Sequence, residues 1–216
     1  MKRSFPMAIA IFLPLFFCTP AVAQHKGPYA GLFLGGNMLS DAKGSDNLGN
    51  FGLDFDPGFL GSAVVGWDFE PGNIVGEGRI ELEYTHRKNP LDQARFVEGS
   101  AKGGGNMTAD SLMINFFGVF HDNRSWSPYL GAGLGAARLE NSNLTVTGQP
   151  FSSDSAFVFA YQFGAGFDFA LTKRLSLDLG YRFFSSTRPR LDEASGESFK
   201  MDYLNHSVVL GMRVGF

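Results

Sequence analysis

The sequence predicts an eight-stranded antiparallel β-barrel that crosses a membrane as an up-and-down meander. Three observations predict this fold class. Segments of about 10–14 residues alternate apolar and polar side chains with a period of two. The connections between these segments alternate between tight turns and long polar stretches. The chain also begins with a pattern typical of a secretory leader.

The leader is predicted to occupy residues 1–23 and the barrel domain residues 24–216. Two cationic residues, Lys2 and Arg3, precede a short apolar run, which ends at the small-x-small triplet Ala21-Val22-Ala23 that a signal peptidase accepts. The run is shorter than the roughly 20 apolar residues that a membrane helix needs. We therefore expect cleavage rather than membrane anchoring.

Composition excludes several classes of protein. The only cysteine, Cys18, lies in the predicted leader, so no disulfide is expected in the mature chain. Removing Lys2 and Arg3 from the 18 basic side chains leaves 16 against 21 acidic ones, a net charge of −5, which argues against a nucleic-acid partner. The 28 glycines disfavour long helices and the 23 phenylalanines exclude a disordered chain.

The alternation is clearest in the segment 174–185. There Leu175, Leu177 and Leu179 share one face, while Asp178 and Arg182 share the other. Such segments are long enough for a tilted strand to cross a bilayer, which takes about 9–11 residues. The eight predicted strands are 28–38, 58–69, 74–87, 108–121, 127–139, 156–170, 174–185 and 203–216.

The connections set the predicted topology. Tight turns are expected at 70–73, 121–126 and 172–173, and long loops rich in Gly, Asn, Ser and Asp at 39–57, 88–107, 140–155 and 186–202. Short turns face the periplasm and long loops face outward in outer-membrane barrels. A sheet edge finds no hydrogen bonds in lipid, so the first strand must pair with the last.

Aromatic side chains are expected to form girdles at the two membrane interfaces. The predicted periplasmic girdle comprises Tyr29, Trp67, Phe69, Trp126, Phe169 and Phe216. The predicted outer girdle comprises Tyr84, Phe157, Phe183, Phe184 and Tyr203.

The predicted inward face carries many charges for a barrel of this size. An eight-stranded barrel has an interior just wide enough for side chains to fill, and buried charges persist only when paired. We therefore expect a self-compensating network, with a narrow cation-favouring water path as the alternative. The predicted network comprises Asp68, Glu77, Arg79, Glu81, Glu83, Asp178, Arg182 and Arg213. Gly131, Gly133 and Gly135 are expected to leave room for these large side chains.

Three segments resemble strands of a known family. The segment 127–135 (SPYLGAGLG) is similar to a "PYxGxGxG" strand, 177–183 to "LDLGYRY" and 209–216 to a closing "GLRYRF". The family is the outer-membrane β-barrel domain family, which includes opacity-type and porin-like surface antigens. This sequence has Phe183 where the family's motif usually has a second Tyr, and Val214-Gly215 where an aromatic residue is common. The resemblance implies that the terminal Phe216 is part of the signal that the barrel-assembly machinery reads.

The partners expected from the sequence are the lipids and lipopolysaccharide of a Gram-negative outer membrane, with a host or other extracellular ligand at the four loops. Arginine pairs well with phosphate, so contacts with lipopolysaccharide are predicted for Arg87, Lys88, Arg188 and Arg190. We expect a monomer, with no cofactor or metal ion.

Four functions remain open from the sequence. The favoured one is a structural and surface-interaction protein of the adhesion, antigen or membrane-integrity type. The alternatives are a narrow porin-like channel, a lipid-modifying enzyme and a soluble lipocalin-like binder. The enzyme is disfavoured because His206 and Ser207 are adjacent strand residues that point to opposite faces. The lipocalin is disfavoured because its apolar face would have to line the interior.

Overall fold

The computed structural model describes residues 26–40, 42–45, 50–69, 77–96, 99–120, 125–192 and 198–216. The predicted leader, the turn predicted at 70–73 and most of the turn predicted at 121–126 lie outside these ranges. Among the described residues, no helix is long and apolar enough to span a bilayer.

Eight long strands form the barrel. They are β1 (Gly27–Leu39), β4 (Gly58–Asp68), β5 (Glu77–Phe96), β6 (Gly99–Val119), β7 (Trp126–Val146), β9 (Ser155–Ala170), β10 (Leu175–Ser186) and β13 (Leu204–Gly215). Five short strands lie in the connections, namely β2 (Ala42–Ser45), β3 (Asn50–Phe55), β8 (Gln149–Ser152), β11 (Arg190–Asp192) and β12 (Ser198–Met201).

The eight long strands close into a ring in which every neighbouring pair is antiparallel. The first strand pairs with the last over a continuous register that runs from Tyr29 opposite Gly215 to Leu39 opposite Asn205. The predicted fold class and the predicted pairing of the first and last strands are both confirmed.

The two faces of the ring differ as the alternation predicts. Apolar side chains point outward and remain largely exposed, as for Leu32 (70 %) and Leu34 (72 %) on β1, and for Phe116 (61 %) on β6. Polar side chains of the same strands point inward and are buried, as for Asn37 on β1 and Asn115 on β6. This is the distribution that lipid outside and a filled interior require.

The barrel strands continue well beyond their predicted ends, into the predicted loops. Strands β5 and β6 remain paired as far as Phe96 opposite Gly99, inside the predicted loop 88–107. The short strands β11, β12, β2 and β3 follow one another in a sheet that joins the outer part of β5. The regions predicted as solvated loops are therefore largely β-structure, which we call the extramembrane extension: β2, β3, β8, β11, β12 and the outer parts of β5, β6 and β7.

An apolar core fills the extension and the adjoining end of the barrel. Its fully buried members include Leu53, Leu139 and Leu191. A ring cluster lies on its outer side, where the Phe51 ring meets that of Phe199 at 5.5 Å between centroids. Leu53, Leu139 and Leu191 have only glycine or charged residues as direct neighbours in the sequence, which explains why these stretches look hydrophilic.

Three aromatic residues predicted for the girdles lie inside instead. Tyr29 is 3 % exposed, Phe184 0 % and Tyr203 1 %. Phe184 and Tyr203 pack edge to face within the apolar core. All three occupy positions whose side chains point inward. This alternation takes precedence over the general preference of aromatic residues for interfaces.

Candidate functional site

The candidate site is the charged interior near the chain termini, and Arg79 lies at its centre. The Arg79 Nε lies 3.1 Å from Glu81 Oε1, and its terminal nitrogens lie 3.9 Å from Asp178 and from Asp168. The Arg79 and Glu81 side chains are at most 1 % exposed. Their desolvation must be offset by mutual attraction, because a buried charge without compensation is strongly unfavourable.

Arg213, on β13, forms a second centre of positive charge. It forms an ion pair with Asp168, and its nitrogens lie 3.7 Å from both Asp68 and Asp178. Asp178 therefore lies between two arginines, Arg79 and Arg213. The predicted network omits Asp168. The alternation along β9 nevertheless places this residue on the inward face, so the sequence contained the information needed to include it.

Two tyrosines complete the charged layer. Tyr29 donates a hydrogen bond to Glu81 (2.7 Å), and Tyr129 donates one to Asp178 (2.6 Å). The tyrosine rings also lie beside guanidinium groups, since the Arg79 Cζ is 4.7 Å from the Tyr129 ring centroid and the Arg213 Cζ is 5.1 Å from that of Tyr29. Such cation–π contacts stabilise a desolvated cation further.

A predominantly amide layer follows toward the outer end. Glu83 accepts hydrogen bonds from Asn115 (2.9 Å) and Gln162 (3.2 Å), and Gln162 also donates to the Asn115 side-chain oxygen (2.7 Å). Between Glu83 and Arg182 lies a void of about 10 Å³. Space of that size holds about one water molecule.

Arg87 lies farther out and points into the barrel, which corrects its prediction as a lipopolysaccharide contact. It is 1 % exposed, donates to Ser111 Oγ (2.8 Å) and lies over the Phe184 ring at 4.2 Å. The physical reason is strand parity, because Arg87 follows Glu83 by four residues on the same face of β5.

The remaining predicted residues lie in different places. Lys88 points outward beside Phe59 on β4, at the rim of the apolar band. Arg188 is exposed and pairs with Asp202 at 2.7 Å, and this hydrogen-bonded carboxylate raises the pKa of the guanidinium. Arg190 is exposed on β11. The side chain of Glu77 lies outside the described set.

The chain terminus closes the ring, since the Phe216 backbone N–H donates to the Pro28 carbonyl (3.1 Å) and the Phe216 side chain is 71 % exposed on the outer face. Its role as an assembly signal stays a prediction.

The inward glycines of β7 make room for β6. A Cβ placed on Gly131 would overlap the Phe116 carbonyl oxygen and come within 2.6 Å of the Phe117 ring. A Cβ on Gly133 would overlap the Asn115 side chain, and one on Gly135 would overlap the Leu112 carbonyl oxygen. The neighbours that require these glycines are thus the backbone and side chains of the adjacent strand, rather than the acids and arginines that the sequence suggested.

The described residues do not bring His206 and Ser207 together, and they show no metal cluster. His206 is exposed and its Nδ1 lies 2.6 Å from the Tyr181 hydroxyl, whereas Ser207 is buried and donates to Asn205. In the described ranges, no group of three or more His, Cys, Asp or Glu side chains could hold a metal ion.

Comparison with known proteins gives a consistent result. The family model described as "Outer membrane protein beta-barrel domain" matches residues 8–216. A "22 kDa outer membrane protein" of Rhizobium leguminosarum bv. viciae is 28 % identical over 200 residues, covering 91 % of this chain and 82 % of the relative.

Two solved structures illustrate the range of proteins that share the fold. The outer membrane protein OprG of Pseudomonas aeruginosa superposes with a TM-score of 0.60 at 13 % identity, covering 90 % of this chain and 99 % of that one. The outer membrane protease OmpT of Escherichia coli has a TM-score of 0.50 at 9 % identity, covering 88 % and 97 %. The relative in Rhizobium is named as an outer membrane protein and not as an enzyme.

Proposed function

Since this chain belongs to the outer membrane protein beta-barrel domain family and lies in the outer membrane of a Gram-negative bacterium, we propose that it is a scaffold with a filled interior that presents the extramembrane extension at the cell surface. It supports the membrane and takes part in surface interactions, and it acts neither as a diffusion channel nor as an enzyme. One observation carries the proposal: charged, amide and apolar layers follow one another along the interior.

The layers argue against a water-filled path for two reasons. The charged layer pairs acids with arginines, since Glu81 and Asp178 each accept a hydrogen bond from a tyrosine and lie 3.1 Å and 3.9 Å from Arg79. The outer end is apolar, and Leu53, Met107 and Leu139 there are fully buried. A hydrated ion would have to break the contacts of the charged layer. It would then have to cross the apolar outer end, where it would find no hydrogen-bond partners.

Single-cysteine labelling in intact cells tests the proposal. The predicted mature chain has no cysteine of its own, so each variant carries one thiol. We expect Lys200→Cys, at an exposed position on β12, to react rapidly with a membrane-impermeant maleimide, and Ser111→Cys, in the barrel interior, to remain unlabelled. Urea-denatured samples of both variants provide the control for thiol reactivity.

Conductance of the purified monomer in planar bilayers gives the second readout. We expect no stable conductance steps above the background of the protein-free bilayer. A general diffusion porin is the positive control. Stable steps together with rapid labelling of Ser111→Cys would overturn the filled interior, and protection of Lys200→Cys in intact cells would overturn the surface assignment.

Outward cations of the extension supply a further expectation. Arg190 and Lys200 are exposed and directly opposite on β11 and β12, an unfavourable arrangement of like charges that an anion would relieve. We propose that Arg190 and Lys88 contact lipopolysaccharide phosphates. Lipopolysaccharide should then stabilise the wild type in vesicles, and Lys88→Gln and Arg190→Gln should each remove about 1 kcal/mol of that gain.

The measurement is the urea midpoint in vesicles with and without lipopolysaccharide. Lys102→Gln is the matched control, because Lys102 is exposed near the tip of the β5–β6 hairpin. Equal effects of all three variants would refute a specific contact.

A further inference from the structure

A small void lies where the charged layer of the interior meets the amide layer. Its volume is about 10 Å³, which is room for about one water molecule. It is lined by Phe33, Leu60, Ser62, Glu83, Arg182 and Val209. All of these except the half-buried Ser62 are at most 4 % exposed, so the groups that face the void are largely removed from solvent.

Arg182 brings unused hydrogen-bond donors to this void. Its Nη1 donates to the Tyr129 hydroxyl (3.1 Å) and to the Tyr181 carbonyl (3.4 Å), and it forms no ion pair with a carboxylate of the described residues. A guanidinium carries five N–H groups. The N–H groups on Nε and Nη2 therefore donate to no described protein atom. Donors withdrawn from water without an acceptor are unfavourable.

The opposite side of the void brings unused acceptors. Glu83 Oε2 accepts from Asn115 and Gln162, whereas Oε1 accepts only from the Thr85 hydroxyl (2.7 Å) and can take one more hydrogen bond. Thr85 donates its single hydroxyl proton to Glu83, so Ser62 is the donor in its 2.7 Å contact with Thr85. The lone pairs of Ser62 Oγ therefore remain available as acceptors.

The charges on the two sides decide which ligand fits between them. Arg182 would repel a cation, Glu83 would repel an anion, and the volume excludes a ligand of several heavy atoms. A water molecule is neutral and both donates and accepts. It can accept from Arg182 and donate to Glu83 Oε1 and Ser62 Oγ, and a buried water typically has two to four such partners.

We propose that one bound water molecule bridges Arg182 to Glu83 and Ser62, and that it joins the charged and amide layers into one hydrogen-bond network. On the charged side the network continues from Arg182 to Tyr129, which donates to Asp178 (2.6 Å). On the other side it continues through Glu83 into the amide layer. The proposal rests on the filled interior proposed above and names the solvent that this interior retains.

Nuclear magnetic resonance of the purified protein in detergent tests the proposal. Val209 lines the void, so a bound water there should show a nuclear Overhauser effect to its methyl groups, of the sign typical of long-lived binding. Val158 lies in the apolar core and is the control, which should show no such effect. No effect at Val209, or an effect of the sign typical of rapidly exchanging water, would overturn the proposal.

Two substitutions at Ser62 separate the water from the hydroxyl that holds it. Ser62→Ala and Ser62→Val both remove the hydrogen bond to Thr85, but only valine adds methyl groups that fill the void. We expect the water signal at Val209 to persist in Ser62→Ala and to vanish in Ser62→Val. Displacing a hydrogen-bonded water should also lower the urea midpoint of Ser62→Val below that of Ser62→Ala. A higher midpoint for Ser62→Val is the result expected of a dry void and would refute the proposal.

A double-mutant cycle tests whether the water joins the two layers. Tyr129→Phe acts on the charged layer and Asn115→Ala on the amide layer, and these two side chains are not hydrogen-bonded to each other. Their effects on the folding equilibrium constant should depart from additivity by at least about twofold in the wild type. In the Ser62→Val background the effects should be additive. Additive effects in both backgrounds would refute the joined network.

The combined results distinguish the bound water from the filled scaffold on which it rests. A dry void together with absent conductance would refute the bound water and leave the filled interior intact. Rapidly exchanging water at Val209 together with stable conductance steps would refute the filled interior as well.

Discussion

An Arg79→Ala variant is expected to lose about 3–5 kcal/mol of folding stability, the cost of breaking a buried ion pair from one side. Arg79 lies 3.1 Å from Glu81 and 3.9 Å from Asp178, and both carboxylates are inaccessible to solvent. Removing Arg79 leaves the buried carboxylates of Glu81 and Asp178 with less positive charge nearby. The measurement is the urea midpoint in lipid vesicles, followed by heat-modifiable migration.

An exposed pair provides the matched control. Arg138 contacts Glu140 at 3.1 Å with side chains 48 % and 40 % exposed, so Arg138→Ala should cost at most about 1 kcal/mol. Combining Arg79→Met with Glu81→Gln and Asp178→Asn removes the charges on both sides and should recover much of the loss. Equal midpoints for Arg79→Ala and Arg138→Ala would contradict the buried network as a stabilising unit.

A Gly131→Val variant is expected to abolish the folded, heat-modifiable form. The new side chain would overlap the Phe116 backbone oxygen on the paired strand β6 and crowd Phe117. Backbone in a closed ring cannot move aside locally, so the cost should reach at least about 3 kcal/mol, the upper end of the range for overpacking.

Gly61→Val on β4 is the control for valine in a barrel strand. A Cβ at Gly61 would meet nothing closer than Leu34 Cδ2 at 3.7 Å, an ordinary contact. Gly61→Val should therefore fold with a nearly unchanged urea midpoint. A folded Gly131→Val barrel of normal stability would refute the close approach of β6 and β7.

The sequence predicted the ring well because period-two alternation and the need for closure act on every strand. The same rule places Arg87, since its parity equals that of Glu83, but assigning it to lipopolysaccharide ignored that parity. Tyr29 was misplaced in a similar way. Interfacial preference is a statistical tendency, whereas the pleat fixes the direction of every side chain.

The extension was harder to predict for a geometric reason. On β5 the inward positions run through Asn89 and Leu91 and then shift to Ala94, across an irregularity between Pro90 and Gln93. A strict period of two ends at such a bulge.

Closure of the ring also constrains when the protein can fold. Tyr29 pairs with Gly215, so β1 cannot complete its hydrogen bonds until nearly the whole chain has been synthesised. Until β13 is available, the edge of β1 that pairs with it has no barrel partner, and such an edge is prone to pairing with other chains. Pairing with the final strand is thus the step that removes this open edge. Truncation within β13 should leave a chain that is aggregation-prone rather than merely less stable.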